Sequence, residues 1–402
     1  MTSGVGEAGR RAGPVPLIIP AVLVAATATA ILSTDLYAPS LPHLPEYFGT
    51  SAETVQLTMS LNLVGYGFAQ LIHGPLSDRF GRRPVLLAGM AGFALFSLAC
   101  ALAQSIDMLI TARLLQGVMA CSQSVIALAV IRDLYDEKSS VKVLAAYGMA
   151  VALAPAVGPI IGGYVHVLAG WRANFLLLTG LVIAVTALIW RFLPETTVPD
   201  PHAIRPWRLL PGYAALLRQR RFMAYALICA APMGALFGFI TAGPFVLIDQ
   251  FGVPTQNYGY YQAAFVLAYF LGSLTANRAA SRFGIETILR TGLAIGAAGG
   301  GSLPGLLLAG LAGPLAVTFA MSVFAFGLGL SFATAPVRAI DAATGGRGSV
   351  AASLGALEIG GAALGAFAVG ALHNDTPWPL ALTVAGFALG AAAVYLIARP
   401  WR

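Results

Sequence analysis

Eleven stretches of this chain, 12–34, 54–77, 84–106, 108–131, 143–171, 173–190, 222–248, 250–277, 291–337, 348–374 and 376–398, run 18 residues or more with at most one charge each. A bilayer core of ~30 Å is crossed by roughly 20 helical residues, so each stretch is long enough to span it. The stretch 291–337 is too long for one crossing and is punctuated at Ala312-Gly313-Pro314, which reads as two helices joined by a tight turn. Twelve crossings result. The composition agrees: 58% of the 402 residues are apolar and 10% charged, against roughly 25% charged in soluble domains. Twelve crossings consume about 240 residues, which excludes a large soluble domain. Arg10-Arg11 before an uncharged run resembles a secretory signal, but 23 residues is too long for a signal core. The run reads as the first membrane helix.

The charge distribution orients these crossings. Of 23 Lys and Arg, 21 fall in alternate connections: 1–13, 77–84, 129–142, 191–221, 278–290, 338–347 and 399–402. Only Arg113 and Arg172 lie elsewhere, while Glu46, Glu53, Asp107, Asp249 and Asp375 occupy the opposite connections. By the positive-inside rule the basic connections and both termini are cytoplasmic. The net charge of +7 is thereby a topology signal, and no nucleic-acid partner is needed. Cys100, Cys121 and Cys229 stand singly in apolar runs, as small buried hydrophobes do, without disulfide or metal spacing.

The longest polar interval divides six crossings from six, giving an N-terminal bundle 1–195, a cytoplasmic linker 196–221 and a C-terminal bundle 222–402. Leu209, Leu210, Tyr213, Leu216 and Leu217 recur beside basic residues, so the linker is either an amphipathic surface helix or a plain connection. The halves echo one another weakly: Gly74-Pro-Leu-Ser-Asp78-Arg79-Phe-Gly81-Arg82-Arg83 follows the second crossing, and Gly272-Ser-Leu-Thr-Ala-Asn277-Arg278 with Arg282-Phe283-Gly284 follows the eighth. Repeated halves are a mark of secondary transporters, whose substrate sites lie between the repeats near the midplane.

The Gly74–Arg83 run resembles the signature loop of the major facilitator superfamily. Gly74 is expected to permit close helix approach, Gly81 a reverse turn, and Asp78 with Arg79, Arg82 and Arg83 a charge network on the inner face. The resemblance implies that this network latches the outward-facing state. Arg113, six residues into the fourth span and followed by Gln116-Gly117, resembles the superfamily's proton-coupling motif; a cation there is costly unless it is paired, faces a water-filled cavity or snorkels to the outer end. Pro155, Gly158, Pro159, Gly162 and Gly163 place proline and small residues along one face of the fifth span, where a helix kinks and admits a close neighbour. They resemble the antiporter motif of exporters, with Ala154 in place of its first glycine.

Asp35 in Thr34-Asp35-Leu36-Tyr37-Ala38-Pro39-Ser40-Leu41-Pro42 is similar to a segment of the Bcr/CflA drug-resistance group, which includes MdfA-like and phenicol exporters. The similarity runs from about Pro14 to Ala398 and takes in Trp171-Arg172, Phe175, Leu193-Pro194-Glu195-Thr196 and Asn374-Asp375-Thr376-Pro377-Trp378-Pro379. Those relatives carry a further acid two turns before this Asp; here the position is Thr27. Glu358, mid-span in the eleventh crossing, is expensive to ionise there and is either the missing titratable group or a packing residue. Proton coupling is thus expected of Asp35, Arg113 and Glu358, and Asp35 can alternatively be a solvated helix cap. Polar and aromatic residues on apolar helices, Asn62, Tyr66, Gln70, Gln123, Tyr147, Phe237, Phe239, Tyr261, Gln262, Phe265 and Tyr269, are the cavity candidates.

No P-loop, H-E-x-x-H or G-x-S-x-G occurs, so neither ATP hydrolysis by this chain nor hydrolase chemistry is expected. The resemblance implies an all-α polytopic fold of two six-helix bundles in a bacterial inner membrane. It implies a monomer without cofactor or metal, exchanging protons for a small lipophilic molecule. Export of an endogenous metabolite, siderophore or sugar is the alternative, and a non-transporting receptor or scaffold the competing class.

Overall fold

The computed structural model describes residues 17–200, 214–344 and 346–401. Among them the chain is helical and forms no strand. Helices α1 (Ile18–Asp35), α2 (Ala52–Phe80), α3 (Arg82–Ala101) and α4 (Ile106–Leu134) make the first four crossings. The fifth breaks into α5 (Glu137–Val151) and α6 (Ala154–Ala169), and α7 (Trp171–Phe192) is the sixth. Helices α8 (Arg220–Pro244), α9 (Tyr258–Phe283) and α10 (Ile285–Leu308) follow; α11 (Pro314–Phe332) with α12 (Ala335–Ala342) forms the tenth crossing, and α13 (Arg347–Ala371) and α14 (Trp378–Ala398) the last two. The fifth-span break falls just before Pro155, whose ring cannot serve the ladder. A matching break at Ala333–Thr334, ahead of Pro336 at the start of α12, follows from the same chemistry.

Nine helical stretches among the described residues are long and apolar enough to cross a membrane by composition. The crossings that fall short are α2, α5 with α6, and α9. These three carry Asn62, Tyr66, Pro155, Gln262 and Tyr269, all of which line the central cavity. Polarity facing inward lowers the mean hydropathy of a helix whose outer face still meets lipid.

Among the described residues, Gly81 (98°), Gly170 (79°), Gly284 (79°) and Gly310 (66°) adopt positive φ where crossing helices reverse. Gly81 and Gly284 occupy corresponding turns of the two halves, so the sequence echo is a structural one. Each half has its own apolar core, Leu23, Phe93, Ile126 and Val182 in the first and Phe222, Leu289, Leu293 and Tyr395 in the second. Between halves, α2 packs on α13 and α6 on α9. The acidic end of the molecule, where α1 passes into short helices at Ala38–His43 and Leu44–Phe48, is tied across the boundary. His43 Nε2 and Thr255 Oγ1 are 2.9 Å apart, Gln56 Nε2 and His373 Nδ1 3.2 Å, and the Tyr164 and Tyr260 hydroxyls 3.1 Å. Ile240 and Phe245 of the second half join Tyr37, Leu41 and Trp171 of the first in one apolar cluster there.

At the basic end, Arg82 pairs with Asp78 and, at 3.0 Å, with Asp133. Glu195 accepts from the backbone N–H groups of Arg82 and Arg83, Arg83 donates to the Trp190 carbonyl, and Arg79 stacks over Phe80. This network ties α2, α4 and the end of α7 within the first half. Gly74 departs from expectation: a side chain there would meet open space in this conformation, so no close approach uses it. The linker segment carrying Leu209, Leu210 and Tyr213 lies outside the described residues; Leu216 is buried against Phe222 and Tyr225, and Leu217 is exposed.

Candidate functional site

A cavity of about 290 Å³ lies between the halves. α1 contributes Ala30, Ile31, Thr34 and Asp35; α2 contributes Asn62, Leu63 and Tyr66; the α5–α6 break contributes Ala152 and Pro155. From the second half come Met233, Leu236, Phe237 and Ile240, then Gln262, Phe265, Val266 and Tyr269, with Leu328 and Ile359. Six of the sequence-derived cavity candidates therefore line it together with Asp35.

The other five do not. Gln70 packs toward Gly355 on the α2–α13 boundary. Gln123 accepts from Thr29 Oγ1 at 3.2 Å, and Tyr147 is hydrogen-bonded to Thr27. Phe239 is buried behind Phe265, with ring centroids 5.6 Å apart, and Tyr261 packs beside Leu247 and Tyr258. A polar or aromatic side chain in a membrane helix serves helix packing as readily as a cavity, and helical spacing alone does not separate the two. The apolar lining, Ile31, Leu63, Met233, Leu236, Ile240 and Ile359, carries no sequence signal that distinguishes it from lipid-facing residues.

Asp35 closes α1 and is 3% exposed. Its Oδ1 accepts a hydrogen bond from Gln262 Nε2 at 3.1 Å, a link from the first half to the second. The Gln262 Oε1 is buried and has no partner among the described residues. The α6 glycines create this corner. A Cβ on Gly158 would stand 2.7 Å from Asp35 Cβ, one on Gly162 2.1 Å from the Leu36 carbonyl oxygen, and one on Gly163 2.7 Å from the Thr255 carbonyl oxygen. Pro155 and Pro159 leave the neighbouring ladder incomplete, and Asn174 Nδ2 donates to the Gly162 carbonyl at 3.1 Å.

Arg113 does not snorkel: it is 0% exposed. Its guanidinium donates to the Ser33 carbonyl at 3.0 Å, the Thr58 carbonyl at 3.3 Å and Gln116 Oε1 at 2.6 Å. It lies 5.1 Å from the Tyr37 ring centroid and 5.9 Å from that of Phe175. Among the described residues no carboxylate pairs with it. Carbonyl dipoles and aromatic faces therefore carry the compensation a buried cation requires. Gln116 is held in turn by Ser97 at 2.8 Å, and Gly117 admits the backbone of Asn62, whose side chain donates to the Arg113 carbonyl at 2.8 Å. The Arg-x-x-Gln-Gly spacing thus aims the cation at α1, two residues before Asp35.

Glu358 stands apart from this corner. Half-buried on α13, it lies beside the Cys229 thiol; its neighbour Ile359 lines the cavity and it does not. Among the described residues no cluster of His, Cys, Asp and Glu is arranged to hold a metal.

Comparison with known proteins matches this architecture. The chain is 32% identical over 372 residues to a chloramphenicol resistance protein of Pseudomonas aeruginosa, covering 91% of this chain and 87% of that one. It is 31% identical over 359 residues to the multidrug transporter MdfA of Yersinia pestis, covering 87% and 85%. It is 32% identical over 264 residues to a bicyclomycin resistance protein homolog of Haemophilus influenzae, covering 65% and 66%. These relatives place it with the Bcr/CflA group. In fold it resembles a bacterial homolog of the human lysosomal transporter Spinster, solved inward-facing and occupied, with a TM-score of 0.72 at 16% identity over 97% of this chain and 98% of that one. The family profile of the Major Facilitator Superfamily matches residues 23–358, and the chain belongs to that superfamily.

Proposed function

We propose that this protein is a proton-coupled antiporter that exports small lipophilic or amphipathic compounds, phenicol antibiotics among them, across a bacterial inner membrane. The observation that carries the reading is the Asp35–Gln262 hydrogen bond across the two halves, at the wall of a mostly apolar cavity. A volume of about 290 Å³ sits at the small end of the range of ligand cavities, roughly 300–1,000 Å³. The relatives named for chloramphenicol and multidrug resistance support that substrate class.

In this reading the basic connections and both termini face the cytoplasm. The conformation is the one sealed at the outer, acidic end. The bundles 1–195 and 222–402 rock about the cavity, joined by the linker 196–221, in a monomer that draws on the proton gradient and no cofactor. Asp35 is the proton carrier. Bound to Gln262, its carboxyl helps hold the halves closed outside; when the halves part there, that bond is lost and the carboxyl becomes free to exchange a proton. Arg113, fixed to the α1 backbone just before Asp35, is the cation that favours the carboxylate when α1 shifts. Glu358, off the cavity wall beside Cys229, is an auxiliary carboxyl whose charge acts on cationic substrates from behind the lining. The basic-end network of Asp78, Arg79, Arg82 and Arg83 biases the opposite state.

The test is chloramphenicol counterflow in proteoliposomes with an imposed pH gradient. Uphill accumulation that collapses with a protonophore is expected. Binding without pH-dependent flux overturns the reading.

A further inference from the structure

A second cavity, of about 500 Å³, lies between α2 and α13 on the membrane-facing flank of the boundary between halves. Phe68 and Val64 form one wall and Leu364 and Phe367 the other, and these four are 47–65% exposed. Both helices are in membrane crossings, so the exposure is to hydrocarbon. Gly67 and Gly360 form part of its floor, and Ser60 supplies the one hydroxyl among its lining residues. A Cβ on Gly360 would meet nothing within 4 Å.

Leu63 lines both cavities. Ile359, which lines the central one, reaches α2 where a Cβ on Gly67 would stand 3.0 Å from it. The partition between bilayer and central cavity is therefore one apolar side chain thick at this level. The helices are clamped at either end, by Gln56 with His373 and Gly370 toward the acidic end and by Gln70 against Gly355 toward the basic end. Between the clamps no hydrogen bond joins the two helices among the described residues, and side-chain packing closes the boundary.

We propose that this groove is a lateral doorway through which a lipophilic compound dissolved in the bilayer reaches the central cavity, with Leu63 as its shutter. The occupant follows from position and chemistry. The groove opens onto hydrocarbon, is lined by apolar side chains, and adjoins the cavity directly. Each methylene raises a compound's concentration in the membrane by about fourfold, so a doorway there draws from the richer reservoir without rehydrating the compound. The inference rests on reading the central cavity as the substrate site.

The test follows passage directly. In the full chain with Cys100, Cys121 and Cys229 replaced by serine, Ile31→Cys places a thiol on the central cavity wall. Its labelling in liposomes is timed with N-(1-pyrenyl)maleimide, which partitions into the bilayer, and with the aqueous anion 2-sulfonatoethyl methanethiosulfonate. Gly360→Phe fills the groove from a position with free space. It is expected to slow the pyrenyl reagent about tenfold while leaving the sulfonate within about twofold. Leu63→Ala is expected to speed the pyrenyl reagent selectively. Gly360→Phe that slows both reagents alike, or neither, overturns the proposal, as does a parent thiol that the pyrenyl reagent never reaches. Labelling needs no proton coupling, so a protein that failed to export would still report on the doorway.

Discussion

Gly158 and Asp35 meet where α6 crosses α1, and a methyl group on the glycine would stand 2.7 Å from the carboxylate residue's Cβ. The Pro-Gly-rich motif of the fifth crossing and the acid of the first, read separately in the sequence, form one piece of construction. The glycine sets how near α6 comes to the residue that bonds Gln262.

Gly158→Ala is therefore expected to push α1 from α6, lengthen the Asp35–Gln262 bond and reduce pH-gradient-driven export at least about tenfold. Overpacking of this kind costs roughly 1–3 kcal/mol. Gly180→Ala, which meets nothing within 4 Å, is the control. Export rates of both variants, normalised to inserted protein, check the claim; equal activity in the two would remove Gly158 from the mechanism.

Asp35→Asn is expected to retain chloramphenicol binding while losing substrate-induced proton release, because an amide still accepts from Gln262 but cannot titrate. Glu358→Gln is expected to lower export only in part, or only for cationic compounds, since Glu358 lies off the cavity wall beside Cys229. Proton release from detergent-solubilised protein distinguishes them. Normal release from Asp35→Asn, with none from Glu358→Gln, would move coupling into the second half.

Arg113 offers a graded series. Arg113→Ala leaves the Ser33 and Thr58 carbonyls and Gln116 Oε1 without their donor, so transport is expected to vanish and thermal stability to fall. Arg113→Lys keeps the charge but cannot spread three donors over that arc, and less than about a tenth of the export rate is expected to remain. Gln116→Leu removes one bond to the charged group, about 1.5–3 kcal/mol, and an intermediate loss is expected. Substrate affinity should change little in all three, because Arg113 does not line the cavity. Titrating chloramphenicol into each purified variant measures this; a large affinity loss would mean that the cation contacts the substrate in another state.

Much of this was legible in the sequence because lipid imposes it. Charge-free runs give the crossings, and a buried cation such as Arg113 must be accounted for by its surroundings. Gln262 could be nominated as a polar side chain on an apolar helix, yet its partner Asp35 lies 227 residues away, and such pairing depends on how two bundles meet. Tyr37 and Phe175, which flank Arg113, look like ordinary hydrophobes in sequence. Leu63 is indistinguishable from any other leucine until two cavities are seen to share it. Tyr147 and Gln123 show the converse: polar atoms answered by Thr27 and Thr29 inside one half give the same sequence signal as a cavity lining.

The two turn glycines Gly81 and Gly284 lead to a last prediction. After Gly81, Arg82 at the start of α3 pairs with Asp133 near the end of α4; after Gly284, Glu286 at the start of α10 pairs with Arg338 beyond α11 at 3.2 Å. The same junction is thus tied in each half, with the charges exchanged. The surroundings differ, however. Glu286 also accepts from the Tyr395 hydroxyl at 2.7 Å and the Tyr225 hydroxyl at 3.4 Å, whereas Arg82 donates to Ser77 and lies beside Asp78. Glu286→Gln is expected to slow turnover with little change in substrate affinity, because the pair sits at the basic end away from the cavity. Exchanging the partners, Glu286→Arg with Arg338→Glu, restores the ion pair, but the Tyr225 and Tyr395 hydroxyls must turn to accept from the guanidinium, and their protons lose the carboxylate that accepted them. Rescue of turnover is therefore expected to be partial, and Tyr395→Phe added to the exchange should improve it. Full rescue by the exchange alone would show that the tyrosines contribute nothing to this junction, and no rescue in either background would show that the ion pair is incidental to the conformational cycle.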